Sequence, residues 1–237
     1  MLTTIQRRAW ILLPALLLLL PALAACDSGG GPPTMAPDAV LSKAATAMAA
    51  LKSFHFSLST SKVSQAPTSL YVTTAEGDAV RPGKLQATAT ALLVNMPVQV
   101  SLIAIGNDQY MTDPLSKRWQ RIPPSFNALA LLDPGKAASD ILQSIGSPVA
   151  DGSETIAGVV CYRIKGTVPP ESMRSLSPEI TAKDPLAAVL WIGSSDFLVR
   201  QVQATGALLK GEPATVVRTL TFSAFDQPVD IQPPPGQ

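Results

Sequence analysis

Near its start the chain carries an apolar run, Ala9 to Leu20 (AWILLPALLLLL), and then changes period twice. Between residues 38 and 51 the apolar positions Val40, Leu41, Ala44, Met48 and Leu51 recur at helical spacing on one broad face. Asp38, following Pro37, is placed to cap that helix. From residue 54 the period drops to two: Phe54, Phe56 and Leu58 alternate with His55, Ser57 and Ser59, the signature of a strand with one buried face.

Strand patterns dominate the remainder. Leu70 to Thr74 and Leu85 to Leu93 read as antiparallel neighbours joined across the turn sequence Arg81-Pro82-Gly83-Lys84. Pro97 to Ile105 forms the next strand, and Gly106-Asn107-Asp108 turns it into Gln109 to Thr112. Trp119 to Ile122 is a short strand ended by Pro123-Pro124. Residues 126–132 are apolar and loop-like or helical. Asp133-Pro134 then opens a stretch with Ala137, Ile141, Leu142 and Ile145 at helical spacing, which Gly146 stops. Strands resume at Val149–Ile156 and Val159–Val168, turning near Ala157-Gly158. A polar, proline-punctuated loop with about one helical turn fills 169–185, and Leu186–Ile192, Phe197–Ala204 and Thr215–Phe225 close the domain. Few connections are long enough for a crossover helix, so the expected sheet is mostly antiparallel and meandering, an α+β domain.

One strand carries an unusual choice of side chains. Leu85, Ala87, Ala89 and Ala91 share a face opposite Gln86, Thr88 and Thr90. A filled sheet–helix core favours larger branched residues at such positions. Repeated alanine either leaves a hollow or lets a helix approach closely, and the strand alone does not choose between them.

The apolar run at the start is not a core element. Arg7 and Arg8 are the only charges before residue 26, and the run that follows them is too short, and too broken by Pro14 and Pro21, for a membrane span. Leu23-Ala24-Ala25-Cys26 then places small residues ahead of a cysteine, as in the bacterial lipobox, where the thiol receives a diacylglycerol and becomes the new N-terminus. The other reading is an ordinary secretory leader followed by an incidental cysteine; the full leader layout and the cysteine together favour acylation of Cys26. The expected organisation is a leader over 1–25, an acylated Cys26 with a Gly/Pro-rich tether over 26–37, one domain over 38–232, and a Pro-rich tail over 233–237. Such a protein sits on the outer face of the cell membrane, held by its lipid.

Charge narrows the partners. The 18 basic residues less Arg7 and Arg8 leave 16, against 17 acidic ones, and there is no run of like charges. That balance offers no electrostatic reason to expect nucleic acid or an anionic membrane surface as the partner. Charged residues make up 15% of the chain, below the ~25% usual in soluble proteins, so surplus apolar surface must face a core or another apolar partner.

Candidate chemistry is sparse. His55 is the single histidine, which leaves no histidine metal cluster, and a Ser-His-Asp triad would have to use it without any G-x-S-x-G elbow. Ser59-Thr60-Ser61-Lys62 matches S-x-x-K of penicillin-interacting enzymes. Its serine ends a strand instead of opening a helix, however, Lys165-Gly166-Thr167 has the wrong order for the K-T-G box, and S-D-N is absent. With Cys26 acylated, Cys161 has no partner within the chain, and its strand-like setting suits a buried structural thiol. Neither catalysis, nor a metal, nor a cofactor is expected.

Several segments, taken in order, carry a family resemblance. After the lipobox cysteine come Leu51-Lys52-Ser53-Phe54-His55-Phe56, Pro82-Gly83-Lys84-Leu85 opening an alternating strand, and Asp108-Gln109-Tyr110-Met111 before Trp119. Asp133-Pro134, Ile156-Ala157-Gly158 and Tyr162 to Thr167 follow, then Val189 to Gly193, Leu198-Val199-Arg200, Leu220 to Phe225 and Val229 to Pro234. This layout resembles the LppX/LprG-type bacterial lipoproteins over essentially the whole mature chain, and its strength lies in collinearity.

The resemblance implies a curved antiparallel half-barrel with helices over its concave face, similar in shape to the LolA and LolB lipoprotein carriers. It also implies a lipid or glycolipid ligand whose acyl chains lie between sheet and helices, to be carried or presented in the cell envelope. It supplies no binding side chains to transfer. By position, Leu85, Ala87, Ala89, Val98, Val100, Leu102 and Trp191 are the expected cavity wall, with ordinary core packing as the competing reading for each. Two other roles compete with lipid carriage: a lipid or stress sensor acting on a partner protein, and a structural lipoprotein with a filled core. Which envelope transporter, if any, is a partner leaves no trace in the residues.

Overall fold

The computed structural model describes residues 35–63, 70–122, 137–174 and 180–236. The leader, Cys26, the tether up to residue 34, and the expected elements at 126–132 and Asp133-Pro134 lie outside them.

The first helix, α1, runs Pro37–Ala50. Pro37 occupies the first helical turn, where its missing N–H costs nothing, and Ala36 is the cap residue. Asp38 therefore lies inside the first turn, where a carboxylate complements the helix dipole, and is not the cap that the sequence pattern suggested. Val40, Leu41, Ala44, Ala45 and Met48 are buried. At the other end the Arg81 guanidinium bonds the Ala49 carbonyl, satisfying one of the groups a helix leaves open at its C-terminus.

Eleven strands follow: β1 Ser53–Ser61, β2 Leu70–Val80, β3 Lys84–Leu93, β4 Met96–Ile105, β5 Asp108–Thr112, β6 Trp119–Arg121, β7 Gly146–Ile156, β8 Val159–Val168, β9 Leu186–Gly193, β10 Val199–Thr205 and β11 Val217–Ser223. Among the described residues two short helices interrupt them, α2 Ala137–Gln143 and α3 Pro170–Arg174. All eleven strands form one antiparallel sheet in the order β6-β5-β4-β3-β2-β1-β11-β10-β9-β8-β7. The chain thus lays down two meanders, β1 to β6 and β7 to β11, and joins them where its first strand pairs its last. His55 lies opposite Ser223, and the Ser57 and Thr221 hydroxyls hydrogen-bond at 2.7 Å across that central seam. β6 and β7 are the two outer edges, so the segment between them, which includes α2, links opposite margins of the curved, open sheet. α2 packs against α1.

Gly146 begins β7 and does not stop a helix. α2 ends at Gln143, and just beyond it the Ser144 hydroxyl donates to the Ile141 carbonyl at 2.8 Å, satisfying one of the groups the helix end leaves open. The turn at 81–83 falls where expected, with the Arg81–Pro82 peptide cis. Cys161 is fully buried, and burial pushes its thiol pKa up. Among the described residues, no helix is long and apolar enough to cross a membrane.

Candidate functional site

Strand register decides which side chains share a face, because directly opposed residues project to the same side. One row crosses eight strands: Val100, Ala89, Ala75, Leu58, Leu220, Val202, Leu190 and Ile164. Every member is apolar. A neighbouring row, Leu102, Ala87, Gly77, Phe56 and Phe222, runs parallel to it, and beyond that come Ala104, Leu85, Ala79 and Phe54. These three rows form the inner face of the half-barrel, and α1 packs into the same hydrophobic cluster.

Cover over this face is uneven. Phe54, Phe56, Ala79, Leu85 and Ala104 are buried together with the apolar face of α1. At the far flanks of the long row Val100, Leu190 and Ile164 are buried too. Its middle is less completely covered: Ala89, Ala75, Leu58, Leu220 and Val202 are only partly buried, and of these Ala75, Leu220 and Val202 pack against the same hydrophobic cluster. Apolar surface left partly open across five neighbouring strands is costly in water.

The expected wall residues sort cleanly. Leu85, Ala87, Ala89, Val98, Val100 and Leu102 all lie on the inner face, Leu85, Ala87 and Val100 buried and Ala89, Val98 and Leu102 half-buried. Trp191 does not join them. It stands opposite Gln201 and Arg163, whereas its neighbour Leu190 stands opposite Val202 and Ile164, so the indole belongs to the outer face. There it donates to a Glu154 carboxylate oxygen at 2.8 Å, under the Arg163 guanidinium 5.6 Å from the ring. Arg163 and Lys165 both pair with Asp151, and Lys165 heads the causes that hold the Asp151 carboxyl below its usual range. The inner position in this stretch is Leu190. Leu58, Ala75, Leu220 and Val202 share this inner face without having been among the expected residues, although Phe54-Phe56-Leu58 and Gln201-Val202-Gln203 already alternate in the sequence.

Two residues along from Leu58 and Leu220 the inner row turns polar, with Thr60 opposite Arg218. Arg218 bonds the carboxylate of Glu212 and reaches the Tyr71 hydroxyl at 3.3 Å. The other Glu212 oxygen accepts the amides of Leu208 and Leu209 at 2.7 and 3.0 Å. The guanidinium is thus neutralised in place, and this rim is polar without adding net charge. Burial, then the hydrogen bond with Glu212, pushes the Tyr71 pKa up to about 12. A raised acid pKa means that the fold favours the neutral phenol: this stability is whole below pH 10 and is lost as pH rises from 10 towards 12. Tyr71→Phe is expected to abolish the phenolate absorbance step near pH 12 and to flatten the fall in unfolding free energy over that window. A step that survives the substitution would refute the assignment.

His55 projects from the outer face, its Nδ1 2.9 Å from Asp78 across β2. Ser59 lies in β1, and Lys62 just beyond its end, so the S-x-x-K match has no helix to open.

An open eleven-stranded antiparallel sheet, curved around an apolar inner face that a helix only partly covers, defines a half-barrel protein. The chain belongs to the LppX_LprAFG lipoprotein family, whose sequence profile matches residues 36–231. It is 27% identical over 166 residues to the lipoarabinomannan carrier protein LprG of Mycolicibacterium smegmatis, covering 67% of each chain. The Mycobacterium leprae protein of the same name is 25% identical over 241 residues, 97% of this chain and 96% of that one. In three dimensions it is similar to LprF from Mycobacterium bovis, with a TM-score of 0.68 and 17% identity over 87% of this chain and all of that one. LppX from Mycobacterium tuberculosis gives a TM-score of 0.60 and 22% identity, over 82% of this chain and 97% of the other. At those identities the two structures support the fold alone.

Proposed function

We propose that this protein is a membrane-anchored extracytoplasmic lipoprotein. It binds the acyl chains of a lipid or glycolipid against the inner face of the half-barrel and carries or presents them in the cell envelope. The observation that carries this reading is the half-exposed apolar centre of the row Ala89, Ala75, Leu58, Leu220 and Val202. A sheet that only needed a core would bury those positions, as it buries Leu190 and Ile164 in the same row. The relatives named lipoarabinomannan carriers favour a glycolipid or lipid ligand.

Burying acyl chains contributes roughly 0.8 kcal/mol per methylene, so about ten methylenes supply ~8 kcal/mol with no charged clamp. The protein's share of the work is passive: it keeps hydrocarbon out of water while the headgroup stays near the polar rim of Thr60, Arg218 and Tyr71. Acylated Cys26 keeps the carrier at the membrane that its cargo leaves or enters.

Native mass spectrometry of the mature chain after gentle purification tests the reading. A lipid-sized mass increment that organic extraction removes is the expected result. A clean apo mass from a cooperatively melting protein would sink the carrier and leave a structural lipoprotein.

A further inference from the structure

Among the described residues six large apolar side chains are exposed, Val72, Val94, Met96, Leu115, Val149 and Val160, and the three most exposed lie at one end: Val94 is 74% exposed, Met96 61% and Leu115 76%. Val94 sits in the β3–β4 hairpin turn and Met96 opens β4 directly after it, and Leu115 sits in the turn between β5 and β6. β3 and β5 both pair antiparallel with β4, so their two turns emerge at the same end of the sheet. That end also carries the polar rim, because β1 ends there, opposite the start of β11, and β2 starts there. Leu115 is held in place. Asp113 accepts the Leu115 and Ser116 amides at 3.1 and 2.7 Å, and the Lys117 ammonium donates to the Gln99 carbonyl of β4 at 2.7 Å.

The hairpin turn opposes its own chemistry. Val94 and Asn95 both have positive φ, 50° and 64°, the geometry of a two-residue turn that favours Asn-Gly. A β-branched residue there is disfavoured, and at 74% exposure it recovers nothing from packing within the domain. Cations outnumber acids around the patch, three to one. Residues 93–98 (LVNMPV) carry no charge, and the exposed cations Lys62, Lys117 and Arg118 flank this end, with Asp113 engaged in its turn.

We infer that this end of the half-barrel docks on an anionic lipid bilayer, inserting Val94, Met96 and Leu115 into the interface with Lys62, Lys117 and Arg118 over the headgroups. Apolar tips ringed by cations suit that surface, where hydrophobic burial and attraction to anionic headgroups add. Docking here turns the rim, and the apolar centre behind it, towards the membrane, so cargo crosses little water.

The test uses the processed, lipidated chain on vesicles of phosphatidylcholine with phosphatidylglycerol. Met96→Cys carries an environment-sensitive dye, and buried Cys161 is spared labelling. Val160→Cys marks the opposite end of the sheet, at the start of β8. The dye at 96 is expected to shift to the blue and to be quenched by spin-labelled lipid, the dye at 160 to do neither. Adding Val94→Asp with Leu115→Asp should reduce the quenching several-fold. Val94→Gly should weaken it without lowering the melting temperature, because glycine accepts the positive φ. Vesicles that retain the chain while the dye at 96 behaves as the one at 160 overturn the inference and leave the anchor standing. A blue shift that needs added envelope protein overturns it in favour of a protein partner.

Discussion

Ala89→Trp is expected to abolish lipid loading while leaving the domain folded. Ala89 stands between Val100 and Ala75 in the long apolar row and is only half-buried, so an indole there has room to enter. The space it enters is the space assigned to hydrocarbon. Displacing about four methylenes from contact loses ~3 kcal/mol, roughly a hundredfold in affinity. Loading is read as the fraction of lipid-bound mass after gentle purification, folding as an unchanged circular dichroism spectrum and cooperative melt. The same substitution in a filled core would instead overpack and destabilise by ~1–3 kcal/mol or more. Full lipid occupancy in a folded Ala89→Trp protein would remove this surface from the site.

Gly77→Ala is expected to be the most damaging single methyl in the sheet. Gly77 lies opposite Phe56 on one side and Ala87 on the other, on the inner face. A Cβ there would overlap the Gln86 carbonyl oxygen and lie 2.7 Å from the Ala87 Cα. Both obstacles are backbone, so no rotamer change relieves them; the β3 backbone at Gln86-Ala87 comes closer to Gly77 than any side chain there would allow. The expected cost is about 3 kcal/mol or more, a fall of roughly 10 °C in melting temperature for a domain this size. Gly106→Ala is the comparison: φ is +59° but no atom lies within 4 Å, so only ~1 kcal/mol of backbone strain is expected. Equal losses at the two positions would show that this close approach does not depend on Gly77.

Much of the fold was legible because alternation is a local property. Phe54-Phe56-Leu58 and Leu85-Ala87-Ala89-Ala91 announce both strand and face, and Pro37, Pro82-Gly83 and Ala157-Gly158 mark element boundaries through backbone chemistry. Reading failed where apolar residues run together. Val189-Leu190-Trp191-Ile192 has no alternation, so nothing local tells which parity faces inward, and the largest side chain was the natural but wrong choice. The end of α2 at Gln143 instead of at Gly146 failed differently: Gly146 is taken up as the first residue of β7, and composition does not flag that a strand begins there.

By itself the sequence determined the strand faces, the antiparallel meander, the poverty of catalytic groups and the small side chains of β2 and β3. All of these follow from neighbours a few residues apart. Only the tertiary structure decided that β1 closes on β11, more than 150 residues later, and so joins two separate apolar alternations into one row of eight strands. It also decided that the flanks of that row, Val100, Leu190 and Ile164, are buried while its centre is only partly so. Pairing partners far apart in the chain are chosen by whole-sheet burial and register, and no local pattern encodes which alternating strand will meet which.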